Sequence, residues 1–215
     1  MQREIEISTL LLPGKLCTWQ FLYRNALPSR SQIYAKGEND MKIVEYKLDK
    51  KLIGLISDTH IPKRGRYIPP KVFEIFDRMG VELILHAGDL VEEKVLIELS
   101  ALAPVESVAG NMDSLETREK LGEIKVIQSR DFSIAVVHGE GPRHEVADWA
   151  FNNFRNSKVD VIVFGHSHMP HVEYRENVLL VNPGSPVDPR GGSDPSCGSL
   201  FEENGVLKAK NFSLK

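Results

Sequence analysis

At 215 residues the chain is long enough for one domain with a sizeable core and too short for two ordinary ones. Charged residues make up 27% and apolar residues 41%, a globular profile, and the net charge of -3 lacks the basic surplus that nucleic-acid binding usually needs. No apolar run reaches the roughly 18 residues that cross a bilayer, so no membrane partner is expected and a cytoplasmic location is.

Residues 1–40 read as a poorly structured extension, or as the product of an upstream start codon. Leu10-Leu11-Leu12 is cut at once by Pro13, too short for a signal-peptide core, and Pro28–Asp40 shows no helical or strand period. The folded domain is expected over 41–215, opening with a strand-like alternation from Met41. Lys51–His60 follows. Its apolar run Leu52, Ile53, Leu55, Ile56 is a buried strand that ends in Asp58 and His60.

Pro69-Pro70 precedes a helix carrying Val72, Phe73, Ile75, Phe76 and Met79, which Gly80 stops. Val81–Leu85 is the second strand and runs into His86-Ala87-Gly88-Asp89. A helix over Glu92–Leu102 leads to a strand at Val105–Ala109, which ends in Gly110-Asn111-Met112-Asp113. A polar helix at Ser114–Leu121 precedes strands at Ile124–Ile127 and Phe132–Val137, the latter ending in His138-Gly139. Glu145–Asn156 is helical, with Val146, Trp149, Ala150 and Phe154 on a face read as core only. Val159–Phe164 ends in Gly165-His166-Ser167-His168. Strands alternating with helices predict parallel βαβ units. The tail reads as short antiparallel strands, with a hairpin turn at Asn204-Gly205. The expected class is therefore α/β: two packed mixed sheets flanked by helices, an α/β/β/α sandwich.

Ligands gather beyond the carboxyl ends of strands in such folds. Here those ends supply Asp58, His60, Asp89, Asn111, His138, His166 and His168, all oxygen and imidazole donors. A carboxylate or His after a strand is often only turn chemistry; the recurrence at five strand ends is what points to a metal site. The set suits divalent Mn, Fe, Zn, Co or Ni, and it exceeds the four donors of a single zinc site. Two ions sharing one bridging carboxylate account for it, an arrangement used in phosphoryl hydrolysis. The cysteines, Cys17 and Cys197, form no Cys-x-x-Cys pattern and add no thiolate.

Asp-Thr-His at 58–60, Gly-Asp at 88–89, Gly-Asn at 110–111, His138 and Gly-His-Ser-His at 165–168 resemble the calcineurin-like metallophosphoesterase superfamily. With Asn182-Pro183-Gly184-Ser185-Pro186, they resemble its small bacterial and archaeal phosphodiesterase branch, related to the retromer subunit that kept the fold as a scaffold. The likeness covers roughly Lys51–Gly205. It implies a metallophosphoesterase fold and two divalent ions, Mn first, with Fe, Zn, Ni or Co open. One ion would take Asp58, His60, Asp89 and His168. The other would take Asp89, Asn111, His138 and His166, so that Asp89 bridges and a hydroxide between the ions attacks phosphorus.

Two positions depart from the family pattern. Met112 stands where protein-phosphatase relatives have a His that can act as general acid, and Met transfers no proton. This favours diesters with good leaving groups over alkyl monoesters. Glu140 stands where the branch commonly has a second His, and its charge would repel phosphate.

Lys63, Arg64, Arg66, Arg143 and Arg190 read as solvated surface, or as positioning charges for a phosphate. His86 reads as a packing residue that could orient a ligand; His144 and His171 read as surface. The expected function is hydrolysis of a small phosphodiester. The alternatives are a catalytically weak protein-binding scaffold or a phosphomonoesterase, and the intact ligand set favours the enzyme. A nuclease is unlike this charge balance. The short C-terminal strands could pair two copies into a homodimer, an assembly common among soluble proteins, though no sequence feature specifies it.

Overall fold

The computed structural model describes residues 41–215, and the extension expected over 1–40 lies outside them. In chain order come β1 (Met41–Glu45), β2 (Ile53–Ile56), α1 (Pro70–Met79), β3 (Leu83–His86), α2 (Lys94–Ser100), β4 (Val105–Ser107), α3 (Leu115–Leu121) and β5 (Ile124–Gln128). Then follow β6 (Ser133–Val137), α4 (Val146–Phe154), β7 (Val161–Phe164), β8 (Pro170–Arg175), β9 (Val178–Pro183), β10 (Ser196–Glu203) and β11 (Val206–Ser213). Helix ends fall within a turn of those expected, the usual scatter of fraying termini. Among the described residues no helix is long and apolar enough to cross a membrane.

The strands form a six-stranded sheet in the order β1-β5-β6-β7-β9-β8 and a five-stranded sheet in the order β11-β10-β2-β3-β4. The two-residue period of a strand decides which layer each side chain enters. Ile53, Leu55, Leu83 and Leu85 fill the space between the sheets, where Ile134, Val136, Val161 and Val163 meet them. Ile56 and Ile84 face the other way and bury Val72 and Phe76 of α1 with Val95 and Leu99 of α2. On the far side, Ala135, Val137, Ile162 and Phe164 pack against Val146, Ala150 and Phe154 of α4. The result is the expected helix–sheet–sheet–helix sandwich. A Cβ at Gly54 would stand 2.9 Å from the Phe76 ring, so glycine there lets α1 settle onto its sheet.

Strand directions differ from the expected parallel half and antiparallel tail. β5 runs parallel to β1 and antiparallel to β6, while β9 runs parallel to β7 and antiparallel to β8. Only Ser129–Phe132 separate β5 from β6, closed by a 2.9 Å bond from Ser129 N–H to Phe132 O. A parallel crossover needs a dozen or more residues, so this connection has to be a hairpin. At Asn204 and Gly205, φ values of 55° and 79° match the left-handed pair of the expected hairpin turn.

Gly80 closes α1 in a left-handed conformation, its N–H donating to Phe76 O at 3.0 Å and Asp77 O at 2.9 Å. Ser114 caps α3, its Oγ accepting from Thr117 N–H at 3.2 Å. The carboxyl ends of β2, β3 and β4 in one sheet, and of β6 and β7 in the other, supply one shared loop cluster.

Candidate metal centre

The loops after these strands are tied to one another before any side chain is considered. Asp58 N–H donates to Gly88 O and His60 N–H to Asp89 O, each at 3.0 Å, and Gly165 N–H donates to His138 O at 2.9 Å. Asp58, His60, Asp89, His166 and His168 all adopt positive φ, between 46° and 66°. For residues other than glycine this costs on the order of 1–3 kcal/mol each, and such strain gathers at functional sites. A Cβ at Gly110 would fall inside the Asp89 carboxylate, so only glycine lets that loop close on Asp89.

Two overlapping donor groups result: Asp58, His60 and His168, and Asp58, Asp89 and His138. All five side chains are buried. His168 Nε2 lies 3.3 Å from Asp58 Oδ1 and 3.2 Å from His60 Nε2, and His60 Nε2 lies 3.4 Å from Asp89 Oδ2. His138 Nε2 lies 3.3 Å from Asp89 Oδ2 and 3.9 Å from Asp58 Oδ1. Both carboxylates therefore face both halves of the centre.

The outer nitrogens set the tautomers. His138 Nδ1–H donates to Ala87 O at 2.7 Å, and His168 Nδ1–H donates to Asp188 O at 2.6 Å. Each ring then turns its Nε2 inward, as a metal ligand does. Among the described residues, His138 Nε2 is buried without a well-aligned hydrogen bond, although Asp89 Oδ2 lies 3.3 Å away. A nitrogen set between two carboxylates calls for positive charge, carried by a proton on the ring or by a metal ion in its place, so the residues fit a divalent metal.

Charge behaves accordingly. Burial pushes Asp58 up to about 6, partly opposed by His138 and by a hydrogen bond from Ser57. Burial acts upward on Asp89 too, but His138 and the Met112 N–H outweigh it and bring Asp89 down to about 2. Burial acts downward on His138, and Asp89 and Asp58 overcome it to raise His138 to about 9. His60 and His168 are lowered, chiefly by burial.

Asn111 and His166 sit at the mouth. His166 Nδ1 lies 3.1 Å from Asn111 Oδ1, its Nε2 lies 3.0 Å from Gly141 O, and its ring stands edge-on to His138 at 5.3 Å between centroids. His166 N–H donates to Asp58 Oδ2 at 3.0 Å. Met112 is 43% exposed, and only its backbone touches Asp89.

Asp113 lies outside the expected ligand set, yet it anchors the site. Its Oδ2 accepts N–H bonds from Gly110 at 2.7 Å and Asp89 at 3.0 Å, and its Oδ1 accepts from Val91 at 2.7 Å. An Asp three residues beyond a loop glycine, poised to accept its N–H, was the available signal. Asp188 orients His168 through a backbone carbonyl, which leaves no signature in side-chain identity. Arg190 Nη2 and Arg64 Nε lie 3.0 and 3.8 Å from Asp188 Oδ2, whereas Lys63, Arg66 and Arg143 are exposed.

His86 joins two ligand loops, accepting from Gly88 N–H at Nδ1 (3.2 Å) and donating from Nε2 to Thr59 Oγ1 (3.1 Å). His144 and His171 pair with Glu145 and Glu173, away from the centre. Trp149 packs against the core as expected, but only in part. It is only half-buried, and it lines a cleft shared with Asn111, His138 and Glu140. Trp149 packs at the margin of the cluster in which Val146, Ala150, Phe151 and Phe154 are buried, so part of its side chain is left uncovered.

Residues 52–205 match the calcineurin-like phosphoesterase superfamily domain. The chain belongs to that superfamily. A probable metallophosphoesterase of Methanothermobacter thermautotrophicus is 46% identical over 164 residues, covering 74% of this chain and 90% of the relative. A phosphodiesterase of Methanocaldococcus jannaschii is 30% identical over 146 residues, 61% of this chain and 82% of that one. Among solved structures, Vps29 of Entamoeba histolytica complexed with zinc superposes with a TM-score of 0.58 at 24% identity, covering 76% of this chain and 99% of that one. That likeness shows the shared fold. Membership in the metallophosphoesterases makes this chain a phosphoester hydrolase whose family uses divalent metal ions.

Proposed function

We propose that this metallophosphoesterase holds two divalent ions and hydrolyses a small phosphodiester. The observation that carries the reading is the buried Nε2 of His138, which faces Asp89 at 3.3 Å and Asp58 at 3.9 Å while its Nδ1 is committed to Ala87 O. Asp58, His60 and His168 would hold one ion and His138, Asn111 and His166 the other, with Asp89 shared. When bound, such ions make hydroxide available near neutral pH and neutralise charge on phosphoryl oxygens.

The chain's own residues do the rest. Ala87 O and Asp188 O hold the proton of His138 and His168 on Nδ1, so Nε2 stays free for a ligand bond. The Asp113 carboxylate holds the loops of Asp89 and Asn111 together. Met112 brings no transferable proton to the mouth, so the leaving oxygen departs best as a stabilised anion, such as that of a phenol. Glu140 lines the same cleft and opposes a dianionic monoester.

The test is elemental analysis of the purified full chain, with assay of an aryl phosphodiester beside its monoester in added Mn. About two metals per chain with faster diester turnover, both lost in Asp89→Ala, is the expected result. Faster monoester turnover would reverse the role assigned to Met112 and Glu140. Neither metal nor turnover would favour a scaffold of the same fold.

A further inference from the structure

A cleft of about 260 Å³ opens directly off the metal centre. Asn111 and His138 of that centre line it together with Trp149, Glu140, Arg118 and Glu123. We infer that this cleft is the subsite for the uncharged, aromatic half of the substrate, and that a nucleoside is the group it takes. The inference rests on the phosphodiesterase reading and deepens it.

One wall of the cleft is aromatic. Val146, Ala150, Phe151 and Phe154 of α4 are buried, whereas Trp149, packed against the same cluster, stays half-buried and lines the cleft. The part of the indole left uncovered beside a reaction centre offers a flat apolar surface on which a base can stack.

The charge of the lining is selective as well. Arg118, the lining guanidinium, is engaged by Glu123 at 2.6 Å, and Glu140 adds a second carboxylate. A second phosphate would meet this acidic wall and be repelled. The exocyclic amine of a base or the hydroxyls of a ribose would instead find acceptors there.

The size of the cleft agrees. Small-ligand pockets run from about 300 to 1,000 Å³, and this one lies just below that range. It suits one base with its sugar better than a longer strand.

The experiment uses the full chain carrying Trp19→Phe, so that Trp149 alone reports fluorescence. Adenosine 5′-(methyl phosphate), titrated with and without Mn, is expected to quench emission at concentrations where dimethyl phosphate does not. In parallel, kcat/KM is compared between thymidine 5′-(p-nitrophenyl phosphate) and methyl p-nitrophenyl phosphate. The preference for the nucleoside ester should fall about tenfold in Trp149→Leu, the scale of one stacked base, and be largely kept in Trp149→Phe. Equal losses on both esters, or no quenching, would overturn the subsite. Quenching without turnover of either ester would retain the subsite and fault the phosphodiesterase reading instead.

Discussion

The Nε2 atoms of His60 and His168 face each other at 3.2 Å, with the rings stacked 4.9 Å apart. Burial lowers the pKa of both, which opposes protonation of either ring. Two imidazole nitrogens at this distance, beside Asp58 and Asp89, suit one shared cation. His168→Ala should therefore lose about one metal equivalent per chain by elemental analysis and reduce diester turnover by about a hundredfold or more, since even residues that merely orient ligands are worth 10–100-fold. Full metal content in that variant would remove His168 from the ligand set.

Asp113 carries three backbone N–H groups on one carboxylate. In Asp113→Asn, one of the two oxygens becomes a donor that confronts an N–H. The expected loss is about 2–3 kcal/mol in urea unfolding, with metal affinity reduced 10–100-fold. A variant as stable and as metal-loaded as the parent would show that the loop holds without this anchor.

His86 links acid sensitivity to the site without needing to bind metal. Burial holds its pKa down at about 3, against 6.5 for the ordinary group, so the unfolded chain takes up the proton first. Its contribution is intact above pH 6.5 and is lost as pH falls from there toward 3. Protonation of Nδ1 would also end its role as acceptor for Gly88 N–H. His86→Asn should flatten the fall of stability with acid by up to about 1.4 kcal/mol per pH unit, measured by urea unfolding between about pH 6.5 and 4.5.

Glu140 is an exposed carboxylate in the cleft beside His138. Coulomb repulsion across about 4 Å of water-like medium is worth about 1 kcal/mol, or roughly fivefold. Glu140→Gln should raise the ratio of monoester to diester turnover by about that factor. An unchanged ratio would mean that Glu140 points away from the phosphate.

Cys197 is buried and its thiol is pushed up to about 12 by that burial. In a Cys17→Ser background the native chain should resist a thiol-specific reagent at about pH 8 and react only on unfolding. Rapid native labelling would show that β10 opens readily.

Much of the centre was legible in the sequence because its chemistry is written in side-chain identity. Asp58, His60, Asp89, His138 and His168 each follow an apolar run that could only be a buried strand, and the structure places all five in two contiguous donor groups. The layered architecture was legible for the same reason, since the alternation in Ile53–Ile56 and Val161–Phe164 assigns each residue to one layer. Tertiary structure alone decided the partners of the backbone. The parallel pairing of β9 with β7 depends on which sheet edge the chain reaches. The carbonyls of Ala87 and Asp188 that set the imidazole tautomers are identical in every residue type, so nothing in composition marks them. Trp149 fell to the same limit: helical spacing reports an apolar stripe, but only the tertiary packing determines how much of that stripe is covered.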